Sequence, residues 1–131
     1  MVKKMYKPKH GFTLIELLVV LAILATLLTI AVPRYFNSVD RAKEASLKQN
    51  LLVLRDAIDK YHADNGEYPN SLEALAQDRY IRFVPEDPMT QSKESWVLVK
   101  PQGADEESKL IYDVRSGALG NSRDGEPYAT W

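Results

Sequence analysis

The chemistry of this 131-residue chain starts from one carboxylate in an expensive place. Glu16 stands just inside an apolar segment running from Phe12 to Pro33, and no residue from Leu17 to Pro33 is charged. A carboxylate at the centre of a membrane helix costs about 2.5–3.5 kcal/mol on insertion scales and less near an interface, so such a residue is read first as functional. No Lys, Arg or His shares the segment, so a compensating cation has to come from outside it. The alternative is an acid solvated at headgroup level. The rest of the chain offers little catalytic chemistry. It has no Cys, hence no thiolate nucleophile, disulfide framework or thiolate metal site. His10 and His62 are its only histidines, and a lone His62 near a helix end is an ordinary surface residue. No Ser/His/acid grouping, phosphate loop or dinucleotide fingerprint is recognisable. The chain reads as a protein that is not an enzyme.

The elements that position Glu16 follow from an uneven distribution of charge. Lys3, Lys4, Lys7 and Lys9 precede the apolar run, with no acid among residues 1–11. A cleaved secretory signal would have an apolar core of ~7–15 residues followed by small residues. Here the run is longer, and Pro33-Arg34-Tyr35-Phe36 follows it. As a helix, residues 12–33 would span roughly 33 Å at ~1.5 Å per residue, which matches a hydrocarbon core of ~30 Å. The lysines place the N-terminus in the cytoplasm and the remainder across the membrane. A buried helix in a soluble protein is the competing explanation, but a domain this small has too little interior to surround one.

Gly11-Phe12-Thr13-Leu14-Ile15-Glu16, after lysines and before an apolar run, resembles the processing site of class III signal peptides, the leaders of type IV pilins and of type II secretion pseudopilins. The resemblance implies cleavage by prepilin peptidase between Gly11 and Phe12, with N-methylation of Phe12 and retention of the apolar helix as an anchor. It implies that the new Phe12 amine of one subunit meets Glu16 of its neighbour in a filament. Pro33 falls where the family commonly carries a proline, and should kink or loosen the helix there. Loss of residues 1–11 removes four lysines and leaves 13 basic against 18 acidic side chains, a balance of −5. The full chain's −1 therefore understates an acidic exported part, and gives no reason to expect a nucleic-acid partner.

Beyond the anchor, Leu47, Leu51, Leu54, Ile58 and Tyr61 recur at spacings of a helix, with Lys48, Arg55, Asp56, Asp59 and Lys60 between them. That is one apolar stripe with a charged reverse face; a coiled coil would show the same stripe over barely two heptads. Asp64-Asn65-Gly66 ends the helix, since Asn and Gly tolerate the left-handed cap. In the remainder, Asn70 with Glu73 is expected to cap a short helix through a capping box. Residues 80–88 form a proline-punctuated loop. Ser95–Val99 and Leu110–Val114 are expected as antiparallel strands, joined by an exposed acidic loop over 100–109, and a turn-rich tail follows. The expected fold is α+β: a long N-terminal helix, half transmembrane and half amphipathic, on a small antiparallel sheet. Its segments are 1–11 (leader), 12–33 (membrane and filament core), 34–63 (amphipathic helix) and 64–131 (head).

The head carries the resemblance further. Gly66-Glu67-Tyr68-Pro69, Leu72 and Leu75, Val84-Pro85-Glu86-Asp87-Pro88 and the aromatic end Asp124 to Trp131 are similar to the major pseudopilin. The absence of Cys also fits that branch, because many pilins close a C-terminal loop with a disulfide. Membership implies no required cofactor, although family heads often hold Ca²⁺; Asp113, Asp124 and Glu126 supply the oxygen donors calcium prefers. The adjacent aspartates expected before the terminal aromatic are replaced by Pro127-Tyr128-Ala129-Thr130, and an Asp-Gly turn with solvated acids accounts for the same residues. The implied partners are further copies of the chain, prepilin peptidase, minor pseudopilins, an inner-membrane assembly platform with its ATPase, and the lipid bilayer. The implied location is the bacterial inner membrane, single-pass, with a periplasmic head. A pilin of a type IV pilus and a lone anchored binding domain are the two alternatives.

Overall fold

The computed structural model describes residues 1–131. They form two compact units, Met1–Ser38 and Val39–Trp131. One helix, α1 (Leu14–Asn65), begins in the first and ends in the second.

In the first unit, residues 1–13 lack regular structure. The helix that follows is long and apolar enough to cross a membrane, and none of its apolar stretch is buried within the chain. Its two hydroxyl residues satisfy themselves: Thr26 Oγ1 donates to the Ala22 carbonyl at 2.8 Å and Thr29 Oγ1 to that of Ala25 at 2.7 Å. Back-bonding of this kind removes free polar hydrogens from an apolar surface. Pro33 lies inside the helix without ending it. Proline removes one backbone donor, yet α1 runs on unbroken to Asn65.

The second unit is built on the stripe the sequence predicts. Leu47, Leu51, Leu54, Ala57 and Ile58 are buried along one face of α1, and Tyr61 packs at the edge of that core. The helix closes at Asn65, where Gly66 takes φ +75, the left-handed conformation that glycine adopts without strain. Its N–H bonds the His62 carbonyl at 2.8 Å. The unit also contains α2 (Leu72–Gln77), β1 (Val97–Val99) and β2 (Asp113–Arg115), with a final 3-10 turn at Tyr128–Thr130. The strands are antiparallel, in register Val97↔Arg115, Leu98↔Val114 and Val99↔Asp113. Leu72, Leu75, Ile81, Val84, Trp96, Ile111, Val114, Ala118 and Tyr128 complete the core. The architecture is the α+β arrangement expected.

Three local expectations need correction. The cap of α2 is Ser71, whose hydroxyl accepts from the Ala74 N–H at 3.1 Å. With Ser71 at the N-cap, Ala74 rather than Glu73 occupies the third helical position, so no capping box forms. The second strand starts at Asp113 instead of Leu110, because the Ile111 N–H bonds the Pro69 carbonyl at 2.8 Å. His62 is half-buried, stacked on Tyr68 with ring centroids 4.0 Å apart and planes 5° from parallel.

Candidate functional site

The first turn of α1 closes on itself through three hydrogen bonds. The Thr13 N–H donates to Glu16 Oε2 at 2.7 Å, the Thr13 hydroxyl donates to the same oxygen at 3.1 Å, and the Glu16 N–H donates to Thr13 Oγ1 at 3.2 Å. This is a reciprocal capping box of the Thr-x-x-Glu type. It satisfies two of the backbone donors that a helix start leaves open and sets the Glu16 carboxylate at the positive end of the helix dipole. Thr13 supplies Glu16 with hydrogen bonds but no charge, and no cation stands within the segment. The Thr-x-x-Glu spacing was the signal for the cap.

Phe12 and Glu16 border the same two clefts, of about 630 and 450 Å³. Phe12 is almost fully exposed. A Cβ added to Gly11 would meet nothing within 4 Å, and Gly11 has no positive φ. Neither packing nor backbone strain in this chain asks for glycine there.

The three carboxylates considered for calcium do not come together. Asp113 Oδ1 accepts from Arg55 Nε at 2.8 Å and from the Val114 N–H at 2.8 Å, while Arg55 Nη2 donates to the Val114 carbonyl at 3.0 Å. A guanidinium thus already holds the carboxylate and carbonyl oxygens that a cation would gather. Asp124 and Glu126 are exposed on a turn closed by Gly125 N–H to the Ser122 carbonyl at 3.0 Å and Ser122 N–H to the Glu126 carbonyl at 2.7 Å. Nowhere do three His, Asp or Glu side chains gather to hold a metal. The residues do not fit the ion.

Instead, Glu44 of α1 clasps the last turns. Its Oε1 accepts from the Arg123 N–H and from the Tyr128 hydroxyl, each at 2.9 Å. Beside them Lys48 Nζ stands 4.5 Å from the Trp131 ring centroid. Burial first, and then donation to Glu44, push the Tyr128 hydroxyl from its ordinary 10.0 up to about 12. The folded state therefore holds this proton more tightly than the unfolded chain does. The stability it contributes is complete below pH 10 and is lost as pH rises to about 12. Melting curves of the full-length protein should hold steady up to the tyrosine range and then fall across that window. Tyr128→Phe should remove part of this alkaline fall; an unchanged profile in that variant would contradict the assignment.

Known proteins bear on residues 6–32 and on a longer stretch of the chain. Residues 6–32 match the family model described as the prokaryotic N-terminal methylation motif. Three curated relatives, each named type II secretion system core protein G, illustrate the wider similarity. The one from Klebsiella michiganensis is 33% identical, with 61% of this chain and 68% of the relative covered. That from Pseudomonas aeruginosa is 34% identical, covering 63% and 69%, and that from Vibrio cholerae is 34% identical, covering 66% and 68%. No solved structure matches.

Proposed function

Given that the chain belongs to the type II secretion system core protein G family, the G-subunit pseudopilins, we propose that it is the repeating subunit of a periplasmic filament whose growth drives protein export. In this proposal residues 1–11 are removed by prepilin peptidase at the cytoplasmic face, between Gly11 and Phe12, and Phe12 is N-methylated. Residues 12–33 stay in the inner membrane until a platform and its ATPase draw the subunit into the filament. Residues 34–63 continue as the amphipathic helix of a periplasmic head that occupies 64–131. Gly11 supports the peptidase role, since the chain's own fold gives no reason for a glycine at that position. Minor pseudopilins join the same structure. No bound metal enters the proposal, because Arg55 already supplies the positive charge at Asp113.

The observation that carries it is the state of Glu16. Its carboxylate is hydrogen-bonded by Thr13, at the start of a helix whose membrane-length apolar stretch finds no cover within the chain. A cap of this kind is worth ~1 kcal/mol, so it lowers the cost of keeping the acid near the membrane without cancelling its charge. Cleavage then creates an ammonium at Phe12. A neighbour's ammonium can pair with Glu16 only at one axial offset, and a pair in a low-dielectric setting is stronger than in water even after desolvation. The charges thus fix register, while the uncovered apolar surface supplies attraction between copies.

The test combines mass and assembly. The membrane-extracted protein should lack residues 1–11 and carry one added methyl group. Glu16→Ala should be processed at close to the parent rate yet lose filaments by roughly tenfold or more, the scale of an uncompensated membrane charge. A native protein still beginning with Met1, or full filament yield from Glu16→Ala, would overturn the proposal.

A further inference from the structure

The segment that follows β2 has committed its oxygen atoms to its own protons. The carbonyls of Gly120, Ser122 and Glu126 accept from the N–H groups of Tyr128, Gly125 and Ser122 at 3.2, 3.0 and 2.7 Å. Ser122 is buried, and its hydroxyl accepts from the Glu126 N–H at 3.2 Å. Asn121 and Pro127 pair as an isolated antiparallel bridge. Upstream, the buried Ser116 hydroxyl accepts from the Ala118 N–H and donates to Asp87. Calcium takes about 6–8 oxygen ligands. Here these oxygens already close turns of the chain, and no three acidic or histidine side chains converge beside them.

Positive charge reaches the same region from α1. The Arg55 guanidinium donates through Nε to Asp113 Oδ1 at 2.8 Å and through Nη2 to the Val114 carbonyl at 3.0 Å. One planar fork thus bridges a side-chain oxygen and a main-chain oxygen of adjacent β2 residues, the two kinds of oxygen that a hard cation collects. Val114 is fully buried, so the bridge fastens β2 to α1 at the edge of the core.

Lys48 stands two turns earlier on the same face, about 10 Å away along a helix of ~1.5 Å rise per residue. Its Nζ lies 4.5 Å from the Trp131 ring centroid, close enough for cation and ring to attract. Lys48, Arg55, Glu126 and Trp131 border one cleft of about 230 Å³, and Glu126 forms no ion pair. A divalent ion drawn toward Glu126 or Asp113 would meet two fixed positive charges in that cleft, and like charges at such range repel. The chain's own cations therefore fill the electrostatic role and oppose a competing ion.

We infer that Arg55, with Lys48 beside it, serves this head as a resident cation. It supplies the positive charge that the family resemblance would assign to calcium, and the head keeps its fold and its place in a filament without divalent ions. The filament part rests on the role proposed above; the folding part does not. Full-length protein in detergent, stripped with a calcium chelator, should melt at the same midpoint before and after calcium is added back. An ion present at about a hundred times its dissociation constant would raise the midpoint of so small a domain by roughly 10 °C or more. Such a rise would overturn the inference. Arg55→Ala should lower the midpoint by roughly 5 °C, a shift discounted for the partial exposure of the pair. Arg55→Lys should recover less than half of that loss, because an ammonium is a point charge and not a fork. No loss in Arg55→Ala, or full recovery in Arg55→Lys, would show that the bridge holds nothing. Isolated filaments should keep their length in the chelator, and their disassembly would sink the resident-cation role while leaving the filament role intact. Filament formation by Glu16→Ala would sink the filament role and leave the melting results standing.

Discussion

Gly117→Ala should lower the melting midpoint of the full-length protein by roughly 12 °C or more, the consequence of about 3 kcal/mol of overpacking in a small domain. The cause is steric. A Cβ at this position would overlap the carbonyl oxygen of Ser95 and stand 3.0 Å from its carbonyl carbon. Both are backbone atoms, so neither can swing away as a side-chain tip would. Ser95 immediately precedes Trp96, which is buried in the core and whose Nε1–H donates to the Pro85 carbonyl at 2.8 Å. Gly117 lies between Ser116 and Ala118, both also buried. Relieving the overlap therefore means separating two backbones that the core draws together. Thermal denaturation followed by circular dichroism reads the effect directly. A midpoint within ~2 °C of the parent would show that the two segments are not in contact.

Asp87→Ala should be comparably damaging, at about 2–5 kcal/mol, since it strands two neutral donors at about 1–3 kcal/mol each. Asp87 is fully buried and ties three segments together. Its Oδ2 accepts from the Ser116 hydroxyl at 2.5 Å and its Oδ1 from the Met89 N–H at 2.8 Å. Its own N–H reaches the Ser92 carbonyl at 3.0 Å, and its carbonyl accepts from the Gln91 N–H at 2.7 Å. Ser116 Oγ in turn accepts from the Ala118 N–H at 3.1 Å. Truncation leaves a buried hydroxyl and a buried amide without partners, which costs more than the bonds themselves contributed. Asp87→Asn keeps an acceptor for one of the two donors and should lose about half as much. Denaturant midpoints at unchanged slope would measure both; equal losses from Ala and Asn would show that charge, not hydrogen bonding, holds the site.

The anchor and the stripe were legible in the sequence because each depends on a local pattern. An uncharged run of membrane length admits few structures, and Leu47, Leu51, Leu54 and Ile58 can share one face only as a helix. What escaped notice depends on partners far along the chain or on a choice between neighbours. Asn70 and Ser71 are both capable caps, and tertiary packing of Leu72 and Leu75 chose the second. Asp87, between Glu86 and Pro88, looks like any solvated loop acid until Ser116 is brought against it. Arg55 and Asp113 seemed to be a charged helix face and a metal donor; they are each other's partners. The Thr13 cap is local, three residues from Glu16, but it supplies hydrogen bonds and not the charge that an acid in an apolar segment calls for.

The clasp at Glu44 also constrains the order in which the molecule is made. It joins positions separated by 79 and 84 residues, so the helix waits for its closing turns until nearly all of the polypeptide has been synthesised. Contacts of such long sequence separation delay folding, because the chain entropy of the intervening loop is lost before any bond is gained. During that interval the leucines of the amphipathic half have the cover of Leu72 and Leu75 but not yet that of Tyr128. The stretch of helix around Glu44 is thus the last to gain its cover, once residues 123 and 128 have emerged.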